Sequence, residues 1–259
     1  MGQQCIKGQN VVDTVASVVE IAPDSFPALR PANPISRNGV VQRVLELFES
    51  PSYLEIGVNK GNTFNSVQAA EKVAVDPKFL FDHEAVAAEL PGTSFHETTS
   101  DDYFASIATQ ETEFDVIYLD GLHTSEQTIR DLVNSISFLS SHGVIIIDDV
   151  FPSSYSASLH DRAETRILLK STGDSSGAWM GDVYRLVFFV ESFCQQFSYG
   201  TVNNNHGQLI MWREPRQVLP TRTLREVGEK AYKDMFMEKE SFRCASLDVI
   251  LEKIKAARR

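Results

Sequence analysis

Positive charge is scarce in this chain. Its 24 lysines and arginines face 35 aspartates and glutamates, for a formal charge of −11 and a pI near 5.0. That balance argues against nonspecific binding to nucleic acid or to an anionic membrane, which select for cationic faces. It favours a small substrate that is neutral, cationic or rich in hydroxyls. Cysteine is scarce too. Cys5, Cys194 and Cys244 are widely scattered and follow no metal-ligand spacing, and they read as reduced thiols in a cytoplasmic protein. Long hydrophobic runs are missing. The longest, at 144–147 and 186–190, are far too short to span a bilayer, and the N-terminal residues lack a leader pattern, so a soluble protein is expected. There is no internal repeat and no low-complexity tract. What remains is ordinary: 259 residues, 42% hydrophobic and 23% charged, enough for one large or two small domains around a substantial core.

Residues 1–36 carry Pro23, Pro27, Pro31 and Pro34 and read as an irregular N-terminal arm. Val40, Val41, Val44, Leu45 and Leu47 place an amphipathic helix over 38–50. From there the pattern alternates as a βα fold does. Strands are expected at 53–58, 72–75, 94–97, 114–119 and 144–147. Helices are expected at 63–70, 83–89, 100–107 and 125–139. Ser100 suits an N-cap, and His142-Gly143 a helix stop before the fifth strand. Beyond a serine- and proline-rich loop at 151–158, helices are expected at 159–170 and from Asp182 to 193. The polar run Asn203-Asn204-Asn205-His206-Gly207 lies between two short apolar segments, 197–202 and 208–212, as in a hairpin. The fold expected is α/β: a Rossmann-like, doubly wound seven-stranded sheet closed by an antiparallel hairpin. It would span residues 37–214. The charged helical segment 215–259 would pack on the same domain or meet a second copy in a homo-oligomer.

The most informative stretch is Tyr53-Leu-Glu55-Ile-Gly57-Val-Asn-Lys-Gly61, followed about twenty residues after Glu55 by a second strand ending in Asp76-Pro77. An apolar strand running into a glycine turn, with an acid at the end of the next strand, builds a nucleotide pocket at the carboxyl edge of a parallel sheet. The dinucleotide fingerprint G-x-G-x-x-G is absent, which argues against a nicotinamide-dependent oxidoreductase. Glu55-x-Gly57-x-x-x-Gly61 instead resembles the first motif of class I S-adenosylmethionine-dependent methyltransferases. Four further stretches resemble the bacterial methyltransferase-domain family 24, whose members often sit among glycan and natural-product enzymes. They are Thr99-Ser-Asp101-Asp102-Tyr-Phe104, Asp115-Val-Ile-Tyr-Leu-Asp120-Gly-Leu-His123, Gly143-Val-Ile-Ile-Ile-Asp148-Asp149 and Trp179-Met-Gly181-Asp182-Val-Tyr-Arg185.

The resemblance implies methyl transfer from S-adenosylmethionine to a small-molecule hydroxyl, that of a sugar or glycosylated metabolite. Glu55, Gly57, Gly61 and Asp76 would hold the donor, with Asp101 or Asp102 at its adenine and Asp120 beside it. Asp120, Asp148 and Asp149 end the fourth and fifth strands. Three carboxylates at one mouth repel unless a cation lies among them, and hard oxygen ligands suit Mg²⁺. Related sugar O-methyltransferases bind Mg²⁺ at the corresponding aspartates. Successive strand residues face opposite sides, so ligation by both Asp148 and Asp149 and ligation by one stand as alternatives. His123 is either a general base or a residue that orders the start of the following helix. Trp179 and Asp182 are candidates for the acceptor site, Asp182 equally for a helix cap. A nucleoside-binding protein with a structural or regulatory role is the rival from another class, and a hydroxylase-like branch of the same fold stays open.

Overall fold

The computed structural model describes residues 34–258 except 110, 174–177, 206 and 218. Most of the expected N-terminal arm, with Cys5, therefore lies outside the described residues, as does His206 of the hairpin turn. Among the described residues no helix is long and apolar enough to cross a membrane.

Helix α1 (Arg37–Leu45) leads into β1 (Ser52–Ile56). There follow β2 (Glu71–Asp76), α2 (His83–Glu89), β3 (Thr93–Glu97), β4 (Phe114–Leu119), α4 (Ser125–Ser137) and β5 (Leu139–Ile147), with a short helical segment α3 (Ser100–Asp102) between β3 and β4. Then come α5 (Arg162–Thr172), α6 (Arg185–Phe193), β6 (Phe197–Val202) and β7 (Leu209–Arg213). The last part comprises α7 (Leu224–Gly228), α8 (Asp234–Met237), β8 (Cys244–Ala245) and α9 (Leu247–Ala257).

The strands form one sheet in the order β3-β2-β1-β4-β5-β7-β6-β8. β1 to β5 are parallel and β7 is antiparallel to both its neighbours. The expected doubly wound sheet and closing hairpin are present. An eighth strand of two residues, parallel to β6, is the addition.

The central strands are buried on both faces, which is why they read as unbroken apolar runs. Leu54, Ile56, Ile117, Leu119, Ile145 and Ile147 pack with Leu132 of α4 and the apolar face of α6. Tyr53, Val116, Tyr118, Val144 and Ile146 face the other way, against Val40, Val41, Val44 and Leu45 of α1 and Leu247, Ile250, Leu251 and Ile254 of α9. The alternation of period two along each strand sorts the two cores.

Several local expectations are corrected. The helix expected over 63–70 is absent; only a 3₁₀ turn forms, at Phe64–Ser66. The buried Lys72 ammonium donates to the carbonyls of Phe64 and Val67, while the N–H groups of Gln68 and Ala70 go to Gln42 and Pro51. Backbone groups committed outside the segment cannot build a helical ladder within it. Thr99, not Ser100, caps the segment after β3 by accepting from Asp102 N, and Ser100 donates to Asp131 instead. Gly143 ends no helix: α4 closes at Phe138, and β5 has already begun at Leu139. Asp182 does not cap α6, whose N-cap position is Tyr184. Its carboxylate reaches across to α4, where it accepts from Ser125 N at 2.8 Å and Ser125 Oγ at 3.1 Å.

Candidate functional site

The order of strands reverses between β1 and β4, and in open α/β sheets that switch point opens a crevice at the carboxyl edge. Here the ladder runs one residue past each strand tip. Gly57 N donates to Val75 O at 2.9 Å, Asp120 N to Ile56 O at 2.8 Å and Asp148 N to Leu119 O at 3.0 Å. Gly57, Asp120 and Asp148 therefore stand level at one edge. A cavity of about 920 Å³ opens above them, lined by Glu55, Gly57, Asp76, Asp101, Asp120, His123 and Asp131 among others.

Gly57 has φ +88, and a Cβ there would lie 2.1 Å from the Asp120 carbonyl oxygen. No side chain fits between the β1 turn and the β4 tip. Asn59, also at positive φ, donates its N–H to Asp76 Oδ2 at 2.8 Å, and Lys78 N donates to Oδ1 at 2.7 Å. These bonds fix the Asp76 carboxylate and leave lone pairs for ligand hydroxyls. Glu55 is 1% exposed. The Tyr53 hydroxyl donates to it at 2.6 Å, and burial pushes its carboxyl up to about 8. At neutral pH it is protonated.

On the far wall, Asp101 accepts from Arg130 at 2.8 Å and from Gln127 at 3.2 Å. Asp131, which the sequence did not single out, lines the cavity with it. Its Oδ1 accepts from Ser100 at 2.6 Å and from Gln127 at 3.0 Å. Asp102 is bonded to Thr99 and is not among the residues lining the cavity.

The three strand-end aspartates do meet cations, and both are side chains. Arg37 at the start of α1 places Nη1 2.8 Å from Asp120 Oδ2 and Nε 3.1 Å from Asp148 Oδ2. The Tyr118 hydroxyl donates to the same Asp148 oxygen at 2.6 Å. His123 Nδ1 is 2.8 Å from the Trp179 carbonyl and 3.1 Å from Asp149 Oδ2, two acceptors that make Nδ1 a protonated nitrogen. Its Nε2 forms a long ion pair with Asp120 Oδ1 at 3.4 Å, and this buried oxygen makes no closer hydrogen bond. Burial opposes charge on His123, but Asp120 and Asp149 outweigh it and push the imidazole up to about 9. It is an imidazolium at neutral pH. Burial, and then the neighbouring Asp148, raise the Asp120 carboxyl above its ordinary value.

Asp148 and Asp149 point to different partners because the strand has ended: Asp149 takes φ +60, and strand alternation no longer applies. Among the described residues, the sets whose ligand atoms fall within 4.8 Å of one another are Asp120, His123 and Asp149, and Glu126, His160 and Asp182; Asp148 joins neither. Mg²⁺ takes oxygen donors, and the expected trio does not converge: Asp148 is paired with Arg37 and Tyr118, and the converging set has the His123 imidazole in its place. Arg37 and His123 fill the positions a metal ion would neutralise, so the residues present do not fit Mg²⁺.

Arg37 gave no signal in the sequence because it lies 83 positions from Asp120. We expect Arg37→Ala to cost about 2–3 kcal/mol by leaving buried carboxylates uncompensated, discounted because Arg37 is 38% exposed and partly screened. The Asp120 carboxyl, already raised, would rise further. In that state the unfolded chain ionises first, so stability falls as pH climbs between the two carboxyl values. Thermal unfolding should therefore show a larger loss at pH 8 than at pH 5; equal losses at both would contradict this account of Arg37.

Trp179 stacks on His123, ring centroids 5.2 Å apart, and donates its indole N–H to Leu159 O at 2.9 Å. Gly181 allows this close approach, since a Cβ on it would fall 1.6 Å from the His123 carbonyl oxygen. Asp182 is buried and occupied by Ser125, Arg185 and His160, outside the cavity lining.

Residues 54–150 match the family model described as a methyltransferase domain, a stretch that runs from within β1 through β5. The match supports a class I S-adenosylmethionine-dependent methyltransferase. No curated protein matches the sequence. Among solved structures, a Staphylococcus aureus protein described as a caffeoyl-CoA O-methyltransferase is 12% identical with a TM-score of 0.49, covering 70% of this chain and 86% of that one. TomG, an O-methyltransferase of tomaymycin synthesis from Streptomyces achromogenes bound to S-adenosylmethionine, is 10% identical with a TM-score of 0.45, covering 70% and 82%. A Streptococcus thermophilus rRNA methylase is 10% identical with a TM-score of 0.40, covering 69% and 94%. Likenesses this distant carry no weight for substrate.

Proposed function

We propose that the chain transfers a methyl group from S-adenosylmethionine to a hydroxyl of a small molecule, a sugar or glycosylated metabolite being the acceptor class, without help from a divalent cation. The observation that carries this reading is the acid-lined cavity at the β1/β4 switch point, where Gly57 is pressed onto Asp120 and Asp76 is held open to ligand hydroxyls. The donor, when bound, supplies an electrophilic methyl carbon on a sulfonium. Gly57, Gly61 and Asp76 position its nucleoside; Asp101 and Asp131 stand where its base would lie.

Asp120 takes the acceptor proton, because His123 is already charged and Asp120 Oδ1 is held only by the long contact to its Nε2. His123 and Arg37 hold Asp120 in place and stabilise its charge. Much of the rate would come from holding the acceptor oxygen in line with the methyl carbon.

The test is equilibrium binding of S-adenosylhomocysteine and of a nicotinamide dinucleotide, followed by methyl transfer to a panel of hydroxylated acceptors with and without EDTA. We expect homocysteine-nucleoside binding, no dinucleotide binding, and rates unchanged by EDTA. Binding of the dinucleotide alone would sink the reading. A tenfold loss with EDTA, restored by Mg²⁺, would return the metal to the site. Donor binding with no transfer to any acceptor would favour the structural or regulatory role.

A further inference from the structure

A second cavity, of about 480 Å³, is lined by Asn59, Gly121, Leu122, His123, Arg162, Thr165, Arg166, Leu169 and Trp179. It shares Asn59, Gly121, Leu122, His123 and Arg162 with the larger one, so the two meet at the β4 tip beside Asp120. Their linings differ in charge: carboxylates and cations both line the large one, and only cations line the small one. Asp76, Asp101, Asp120 and Asp131 line the large cavity together with Arg37, Lys60 and the neutral Glu55 carboxyl, a mixed lining whose carboxylates can face a cationic sulfonium carrying an ammonium group. No carboxylate lines the small one.

Its outer wall is basic. Arg162 and Arg166 are four residues apart on α5, one turn, and so lie on one face of the helix. Neither makes an ion pair among the described residues, although the chain carries 35 acidic side chains. The Arg162 guanidinium sits 5.5 Å from the Trp179 ring, and Trp179 in turn stacks on His123. The order is cation, aromatic ring, cation. Such a wall holds the Arg162 fork in place and offers forked donors for an oxyanion beside it.

We propose that the smaller cavity is the acceptor subsite and that it selects a hydroxylated acceptor bearing an anionic group, a phosphate or a carboxylate, held by Arg162 and Arg166. This reverses the expectation from overall charge, and it rests on the methyl-transfer reading only for the word acceptor; the anion site itself stands on the cavity and its two arginines. Acidic surface elsewhere would repel such a ligand, so the two arginines carry both its capture and its orientation, with the reacting hydroxyl turned toward Asp120.

The experiment is a calorimetric titration of the protein saturated with S-adenosylhomocysteine, using glucose, glucuronate and glucose 6-phosphate as probes. At least one anionic probe should bind tenfold or more tighter than glucose. That advantage should shrink below threefold in Arg166→Gln and vanish in the Arg162→Gln/Arg166→Gln double variant, while Arg166→Gln keeps homocysteine-nucleoside affinity within twofold. Preference for glucuronate or for glucose 6-phosphate identifies carboxylate or phosphate as the anchor. Equal binding of the three probes, no binding of either anionic probe, or an advantage that survives in the double variant overturns the proposal. Failure of the nucleoside to bind would instead remove the methyl-transfer reading, and the same titration on the unliganded protein would then decide the anion site by itself.

Discussion

Asp120→Asn is expected to lower kcat by about 10²–10⁴-fold, the usual range for removing a positioned proton acceptor, while leaving the donor dissociation constant within about threefold. Asparagine matches the shape of aspartate, so Gly57 still packs on the backbone of residue 120, and Arg37 keeps its contact with Asp148 at 3.1 Å. What disappears is the negative charge and with it the oxygen that accepts a proton. A split between kcat and donor affinity is therefore the diagnostic result, read from steady-state rates beside calorimetry of S-adenosylhomocysteine. Equal loss in both would move Asp120 into the donor pocket. Unchanged turnover would hand the proton to His123, whose role would then appear in the unsubstituted protein as a rate that climbs with pH toward about 9, and at lower pH in the variant, where the Asp120 charge no longer raises the imidazole.

Gly57→Ala is expected to damage both halves of the site at once. The alanine methyl would stand 2.1 Å from the Asp120 carbonyl oxygen, 2.4 Å from its carbon and 2.5 Å from Gly121 Cα, all backbone atoms that cannot rotate aside. Relief requires β1 and β4 to separate at their tips, breaking the bond from Asp120 N to Ile56 O. Strain at φ +88 adds to the collision. Together these are worth about 3 kcal/mol or more, which in a chain of this size lowers the unfolding midpoint by roughly 6–12 °C. Donor affinity should fall at least tenfold. Gly173→Ala is the matched control: φ is +69 there, but no atom lies within 4 Å of the added methyl, so only the strain is present. If the two variants lose the same stability, the close approach of Gly57 to Asp120 is not what the glycine is for.

How far the sequence could be read depended on whether a residue's partner is near in the chain or implied by periodicity. Strands buried on two faces appear as apolar runs, and both the β1 turn and the carboxylate of Asp76 announce themselves through glycine spacing and strand ends. The hairpin was legible for the same local reason. The segment over 63–70 has a helical pattern but forms no helix, because its backbone bonds go to Lys72, Gln42 and Pro51, and no window of propensity contains those partners. Asp182 looked like a cap for the helix after it, yet serves a helix 57 positions earlier. Tyr118 did carry a signal that passed unused: a hydroxyl inside an apolar strand, two residues before Asp120, needs a buried acceptor and finds Asp148.

By itself the sequence determined the α/β alternation, the place of the crevice and the carboxylates at its edge, because each follows from side-chain period and strand termini. The tertiary structure alone decided what neutralises those carboxylates. Arg37 arrives from the helix before the sheet and His123 turns back under Trp179, and together they take the positions that three converging acids would otherwise offer to a metal ion. It also brought Arg162 and Arg166 to the cavity mouth. Charges interact through space at a few ångströms, and contacts of that kind leave no spacing in the chain for a reader to find.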